Sequence, residues 1–348
     1  MPVTLTSLSN LAALKADTVI DVRSPAEFAE DHLPGAINLP VLSDAERAEV
    51  GTIYVQDSAF RARRIGAALV AANAARHLQG PLADKDGSWQ PLVYCWRGGQ
   101  RSASFAAILT QVGWRTQVLT GGYRSYRRIV AQALYDDDWP TPLTLLDGNT
   151  GTAKTELLHL LAARGVQTLD LEGLARHRGS IFGPVAEAQP SQKAFESAIA
   201  GQLAGFDPAR PVVIEAESSK IGDLLVPPSL WKAMQAAPRL EVAAPLGARA
   251  EYLTRAYADL EAAPDRVHAQ LDRLVPFHGH EVVARWHKMV EARDGRALAE
   301  DLMRVHYDPR YARSRGRSDG AQVERLETET LGQDALDALA TKIAARIR

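Results

Sequence analysis

Two short loops hold the residue types best suited to chemistry. The first reads Cys95-Trp96-Arg97-Gly98-Gly99-Gln100-Arg101 and joins an apolar segment at 91–95 to a helical pattern at 102–112. Backbone N–H groups in a tight glycine-containing turn can converge on one point, and a helix N-terminus adds positive potential there. Arg97 and Arg101 add full charges. Such surroundings suit a nucleophilic sulfur and an anionic reactant, and the polar run after Cys95 predicts a sulfur outside any apolar pocket.

The second loop is Asp147-Gly148-Asn149-Thr150-Gly151-Thr152-Ala153-Lys154-Thr155, between an apolar strand at 143–146 and a helix at 156–164 closed by Gly165. Strand, glycine-containing loop and helix in that order are the context of a P-loop. The amides from Gly148 to Ala153 would cradle a diphosphate, Lys154 would supply charge, and the Thr155 hydroxyl would reach Mg²⁺. Ala153 stands where the consensus has glycine. The apolar segment 211–216 ends in acid, so Glu215 or Glu217 is the expected carboxylate partner at a neighbouring strand end. A loop of this type selects a polyphosphate, not ATP in particular.

Two basic, aromatic stretches suit RNA, because guanidinium groups pair with phosphates while Arg and Tyr both stack on bases. One holds Arg304, His306, Tyr307, Arg310, Tyr311, Arg313, Arg315 and Arg317; the other is Tyr123-Arg124-Ser125-Tyr126-Arg127-Arg128. His278, His280 and His287 fit no zinc spacing and lie near no cysteine, so no metal site is expected.

The elements that must position these loops alternate between strand and helix, the α/β pattern. Strands are expected at 18–22, 91–95 and 116–119, with a helix after Ser24-Pro25-Ala26-Glu27. The acidic, proline-containing stretch 136–142 reads as a linker, giving domains 1–135 and 136–348. Beyond residue 248 the spacing is helical, over 251–260, 267–274 and 282–292, with a terminal amphipathic helix from Gln333.

The chain has 348 residues, enough for about two domains. A net charge of −2 excludes a globally basic binder but leaves room for local basic patches. A single cysteine permits no intramolecular disulfide. With neither an export signal at the N-terminus nor a run of ~20 apolar residues, a soluble cytoplasmic protein without a membrane partner is expected.

The motifs Asp21-Val22-Arg23-Ser24-Pro25-Ala26-Glu27-Phe28 and His32-Leu33-Pro34-Gly35-Ala36-Ile37-Asn38-Leu39-Pro40 resemble those of rhodanese domains. That resemblance implies that Asp21 and Arg23 brace the fold and that Cys95 carries a transferable chalcogen. The Cys95-x5-Arg101 loop is one residue longer than in thiosulfate-using rhodaneses, and resembles their phosphatase relatives, which cradle a phosphate-sized anion.

A rhodanese-like domain joined to a P-loop NTPase-like α/β domain with a helical C-terminal region is similar to bacterial tRNA 2-selenouridine synthases. Tyr94-Cys95-Trp96-Arg97-Gly98-Gly99, Asp170-Leu171-Glu172-Gly173, His177-Arg178-Gly179-Ser180, Glu217-Ser218-Ser219-Lys220 and His306-Tyr307-Asp308-Pro309-Arg310-Tyr311 carry the likeness. It implies a two-step change of 2-thiouridine at the tRNA wobble position (U34). Geranyl diphosphate first alkylates the sulfur; selenium from selenophosphate then replaces the geranylated sulfur. No tightly bound cofactor is implied, Mg²⁺ would assist, and an enzyme supplying selenophosphate is a natural partner. The same parts would also serve an ATP-dependent tRNA sulfurtransferase, a Cys-x5-Arg phosphatase with a nucleotide-binding domain, or a non-catalytic RNA binder.

Overall fold

The computed structural model describes residues 1–183, 187–258, 263–315 and 323–347, and the chain divides into two compact units. Met1–Asp138 and Pro190–Gly205 form the first. Its strands are β1 (Pro2–Val3), β2 (Thr18–Asp21), β3 (Ile37–Asn38), β4 (Pro91–Tyr94) and β5 (Gln117–Leu119). They make a wholly parallel sheet in the order β1-β5-β4-β2-β3. Every residue of the central β4 is buried. A parallel strand covered on both faces has no solvent side, which is why its sequence is a continuous apolar run. Pro25–Glu30 is a helix that Ser24 opens, its N–H donating to Glu27 at 3.3 Å. Gln100–Val112 is the helix after the cysteine loop, ended by Gly113 at φ 115°.

Asp21 and Arg23 lock the carboxyl end of β2. The guanidinium donates to both carboxylate oxygens, at 2.6 Å for the closest contact, and to the Asp31 carbonyl at 2.6 Å. Both residues are buried, and Arg23 also lies 4.0 Å from the centroid of the Tyr123 ring. Burial opposes the arginine's charge, but Asp21 beside it outweighs that and raises its pKa.

The expectation of two continuous domains, 1–135 and 136–348, needs correction. The chain leaves the first unit after Asp138, returns for Pro190–Gly205 and leaves again. The returning segment carries the helix Gln192–Ala204, whose Phe195 and Ile199 are buried. Ser197 donates to Asp31 at 2.9 Å, the Tyr135 hydroxyl donates to Glu196 at 2.5 Å, and Glu196 is ion-paired with Arg127. Those partners draw the helix into the first unit; its own amphipathic spacing names no destination.

The second unit holds β6 (Leu143–Gly148), β7 (Gln167–Leu169), β8 (Val212–Glu215), β9 (Lys220–Ile221), β10 (Leu224–Leu225), β11 (Arg239–Ala243) and β12 (Val323–Glu327). Its main sheet is parallel throughout, in the order β12-β11-β6-β8-β7, with β9 and β10 as a separate hairpin. The region after residue 248, expected to be helical, also holds a strand, because β12 adds an edge to the sheet. Only Leu326 of β12 is buried, so its charged sequence shows no strand alternation. Helices Leu246–Ala256, Pro264–Asp272, Val275–Glu291 and Gly295–Leu302 occupy most of the rest, and Gln333–Ile347 closes the chain. The last two residues of the helix expected at 251–260 lie outside the described residues. No described helix is long and apolar enough to cross a membrane.

Removing one partner of a buried ion pair strands the other without compensation. Asp21→Ala is expected to lower unfolding free energy by about 3–5 kcal/mol, read as a shift in the urea midpoint. An unchanged midpoint would mean that the pair does not brace this unit.

Candidate functional site

β6 runs at the centre of its sheet between β8 and β11, and the 148–153 loop leaves its carboxyl end. In open parallel sheets that end, at a point where strand order reverses, is where ligands bind. The loop enters the helix Lys154–Ala162. Gly148 has φ 153°, and a Cβ there would come 2.8 Å from the Val242 carbonyl, so no larger residue fits. Ala153 has φ 59°, the left-handed conformation that glycine would adopt freely. The departure from the consensus thus keeps the backbone shape, at a strain on the order of 1 kcal/mol.

Lys154 Nζ donates to the Gly148 carbonyl at 2.9 Å and lies 5.6 Å from the centroid of the Tyr311 ring. The Thr155 hydroxyl donates to Glu172 at 3.2 Å. Glu215 ends β8, in register with Leu146 of β6. It is fully buried, and both carboxylate oxygens lack a protein partner. Burial drives the pKa of Glu215 well up, reinforced by Asp170, Glu172 and Glu217. Burial and then Glu172 raise Glu217 to about 8, and the two carboxyls share a hydrogen bond. Glu172 is raised too, by burial, against the pull of Lys154. Burial disfavours the Lys154 ammonium, but Tyr311, Glu217, Glu172 and Asp147 together outweigh it and hold its pKa above the usual value.

Sequence reasoning named Glu215 and Glu217 but gave Glu172 and Gly179 no role. Gly179, at φ 62°, packs its backbone on Glu172 and would put a Cβ 2.9 Å from Glu217. The signal was present in the motifs around both residues, but only the fold brings them together.

Lys154, Thr155, Glu172, Gly179 and Glu217 line a cleft of about 2060 Å³ in the second unit, with Glu215 outside its lining. Tyr307, Arg310 and Tyr311 line it too, so three residues expected to bind RNA face the phosphate loop. Arg304 and Arg313 are exposed and outside that lining. Arg317 lies outside the described residues, as does the side chain of Arg315. His306 is buried, and its Nδ1 is 2.8 Å from Nε2 of His278. His287 is bound to Asp272 at 2.9 Å. Among the described residues no group of three or more His, Cys, Asp and Glu is placed to hold a metal.

The first unit holds the other candidate. Cys95 is only 3% exposed and packs in the apolar core with Val93, Phe105 and Leu109. This corrects the expected placement outside an apolar pocket: the loop after Cys95 packs back against 119–122, where a Cβ on Gly98 would come 2.7 Å from the Leu119 carbonyl, and the cysteine stays in the core. Sγ accepts hydrogen bonds from the Gly99 N–H at 3.3 Å and the Ser102 hydroxyl at 3.2 Å. Arg97 is exposed, whereas Arg101 is ion-paired with Glu27 at 2.8 Å. Burial opposes the charge of Glu27, but Arg101 outweighs it and lowers its pKa. Of the 123–128 patch, Tyr123 and Tyr126 are buried and cannot stack on bases; Arg124 is exposed and Arg127 is bound to Glu196. Its backbone instead steadies the cysteine loop, Tyr123 N–H donating to the Cys95 carbonyl at 2.8 Å.

Comparison with known proteins agrees with both halves. Residues 4–128 match the profile of the rhodanese-like domain, and residues 141–277 that of the tRNA 2-selenouridine synthase AAA domain. The chain therefore joins a rhodanese-like unit to a phosphate-loop unit of AAA type. A relative in Cupriavidus necator, named tRNA 2-selenouridine synthase, is 33% identical over 90% of this chain and 92% of its own. Relatives of the same name in Chromohalobacter salexigens and Nitrosomonas europaea are 38% and 36% identical. Those matches cover 73% and 70% of this chain, and 69% and 64% of the relatives. Against the Nitrosomonas relative the chain thus spans just under two thirds of that protein's length. The chain belongs to the tRNA 2-selenouridine synthase family.

Burial, then Arg310 and His278, lower His306 to about 4 from an ordinary 6.5. The folded state favours the neutral ring, so its contribution to stability is whole above about pH 6.5 and is lost as pH falls towards 4. Thermal melting of the wild type is expected to fall across that window, and His306→Asn to flatten the decline. Parallel curves for the two proteins would contradict the assignment.

Proposed function

We propose that the protein converts wobble 2-thiouridine of tRNA to 2-selenouridine in the cytoplasm, first S-geranylating it with geranyl diphosphate and then inserting selenium from selenophosphate. The observation that carries this reading is the position of the phosphate loop. Lys154 and the loop amides sit at one end of a cleft that Tyr307, Arg310 and Tyr311 also line. Pockets for one small molecule usually measure about 300–1,000 Å³. A cleft of about 2060 Å³ has room for a lipid diphosphate and a nucleotide together.

In the first step the thiouridine sulfur attacks C1 of the geranyl group, the C1–O bond breaks, and the diphosphate leaves with its electron pair. Charge grows on the leaving group, so Lys154 and the loop amides, already in place, stabilise the transition state more than the ground state. Thr155, Glu172 and Glu215 are the residues that would hold Mg²⁺. The two unpartnered, buried oxygens of Glu215 fit that need, and the ion would supply counter-charge to the diphosphate. In the second step the selenium of selenophosphate bonds to C2 and the C2–S bond breaks, releasing geranylthiol, while the P–Se bond is cleaved and the phosphoryl group passes to water as inorganic phosphate. Cys95 is the residue proposed to help deliver the selenium, which stays at the selenide level with no S–Se bond formed, and a separate selenophosphate-forming enzyme is the proposed partner.

A Cys-x5-Arg phosphatase is disfavoured, because Cys95 is buried and Arg101 is committed to Glu27. An ATP-dependent tRNA sulfurtransferase shares the parts, and differs in consuming ATP.

Mass spectrometry of nucleosides from 2-thiouridine tRNA, incubated with geranyl diphosphate and Mg²⁺ and then selenophosphate, tests the sequence of steps. Lys154→Ala is expected to lower geranylation at least 100-fold, on the scale of lost transition-state donors, while pre-geranylated tRNA is still selenated. Equal loss of both steps would indicate a general binding defect instead. Cys95→Ser is expected to stop selenation after a normal first step; full selenation would remove Cys95 from the mechanism.

A further inference from the structure

Phe277 is the most exposed aromatic residue among the described residues of the second unit, with 61% of its surface in solvent. Its position is tightly determined. The helix Val275–Glu291 breaks at Gly279, whose φ of 79° and ψ of 166° are not helical. The break leaves 275–278 as a separate turn. His278 is fixed on its inner side, bonded to His306 and edge-on to the buried Trp286 with centroids 5.4 Å apart. Phe277, the preceding residue, is thereby held outward.

The guanidinium of Arg310 lies 4.7 Å from the centroid of the Phe277 ring, and the His306 ring is 6.5 Å away. Both neighbours line the phosphate-loop cleft, so Phe277 stands at its rim. Arg304 and Arg313 are exposed on the same stretch as Arg310, and Arg273 lines the cleft. An open ring with the Arg310 guanidinium against it is complementary to a planar ligand on an anionic backbone. A base stacks on such a ring while its phosphates meet the guanidinium groups.

We propose that Phe277, backed by Arg310, is a stacking platform for one unpaired nucleobase of the RNA substrate at the mouth of the phosphate-loop cleft. The inference rests on the reading of the protein as a tRNA-modifying enzyme. The platform holds a base next to the one being modified, and so orients the RNA strand toward Lys154. An apolar protein segment is the competing occupant, which the Arg310 guanidinium against the ring disfavours.

The test is fluorescence anisotropy with the full-length protein and an anticodon stem-loop carrying 2-thiouridine, over a range of salt concentrations. Phe277→Ala is expected to weaken binding roughly 5- to 100-fold, the range for one lost base–aromatic stack. Phe277→Trp should restore it and Phe277→Leu should not. Because stacking releases no counterions, the salt slope should stay unchanged in Phe277→Ala but fall by about one in Arg310→Ala. Diphosphate binding by the Phe277→Ala protein, measured by calorimetry, confirms that it is folded. Unaltered RNA affinity in Phe277→Ala, or full rescue by leucine, overturns the platform. If the wild type binds no RNA at all, the functional reading itself fails, which is a different result.

Discussion

One ammonium group organises the second unit's cleft. Lys154 is pinned to the carbonyl of Gly148, so its charge stands at the carboxyl end of the central strand. Facing it are the buried Glu215 and the half-buried Glu172 and Glu217, all raised in pKa, with Glu217 at about 8. One cation cannot satisfy three ionised acids in a low-dielectric setting, which is why their pKa values rise. A diphosphate entering beside unscreened carboxylates would be repelled; beside protonated or cation-bound ones it meets Lys154, loop amides and little opposing charge. The packing of Gly148 and Gly179 serves this arrangement, since a side chain at either would collide with the groups that shape it.

The first unit solves a different problem. Asp21, Arg23, Asp31, Tyr123 and Ser197 form a buried polar network that ties the carboxyl end of β2 to helices far along the chain. The cysteine loop sits beside it, held by backbone bonds from Tyr123 and Arg124. Cys95 stays covered within that loop, only 3% exposed. Gly98, at φ 66°, packs against the backbone of 119–122, where a Cβ would come 2.7 Å from the Leu119 carbonyl.

What the sequence disclosed and what it hid follow from how local each signal is. The central strands, the helix opened by Ser24-Pro25 and the phosphate loop rest on neighbouring residues, and the fold has them where expected, within a few residues. Edge strands such as β12 bury one side chain and leave no pattern. The helix Gln192–Ala204 has its partners Asp31, Arg127 and Tyr135 more than 50 positions away, so nothing in its own sequence names where it packs. At the site, Lys154 and Thr155 were legible because a P-loop fixes their spacing, and the acidic strand end narrowed the carboxylate to Glu215 or Glu217 without choosing between them. Glu172 was not, since its role depends on a tertiary approach to Thr155 and Gly179. The Tyr-Arg repeat at 123–128 misled for the same reason: its tyrosines face the core.

The central claim is that the loop at 148–153 holds the diphosphate of an alkyl donor. Isothermal titration of the full-length protein with geranyl diphosphate and Mg²⁺, with and without ATP, addresses it most directly. Saturable binding that inorganic diphosphate displaces and ATP does not is the predicted result. Tight ATP binding, with no heat from geranyl diphosphate, would contradict the account.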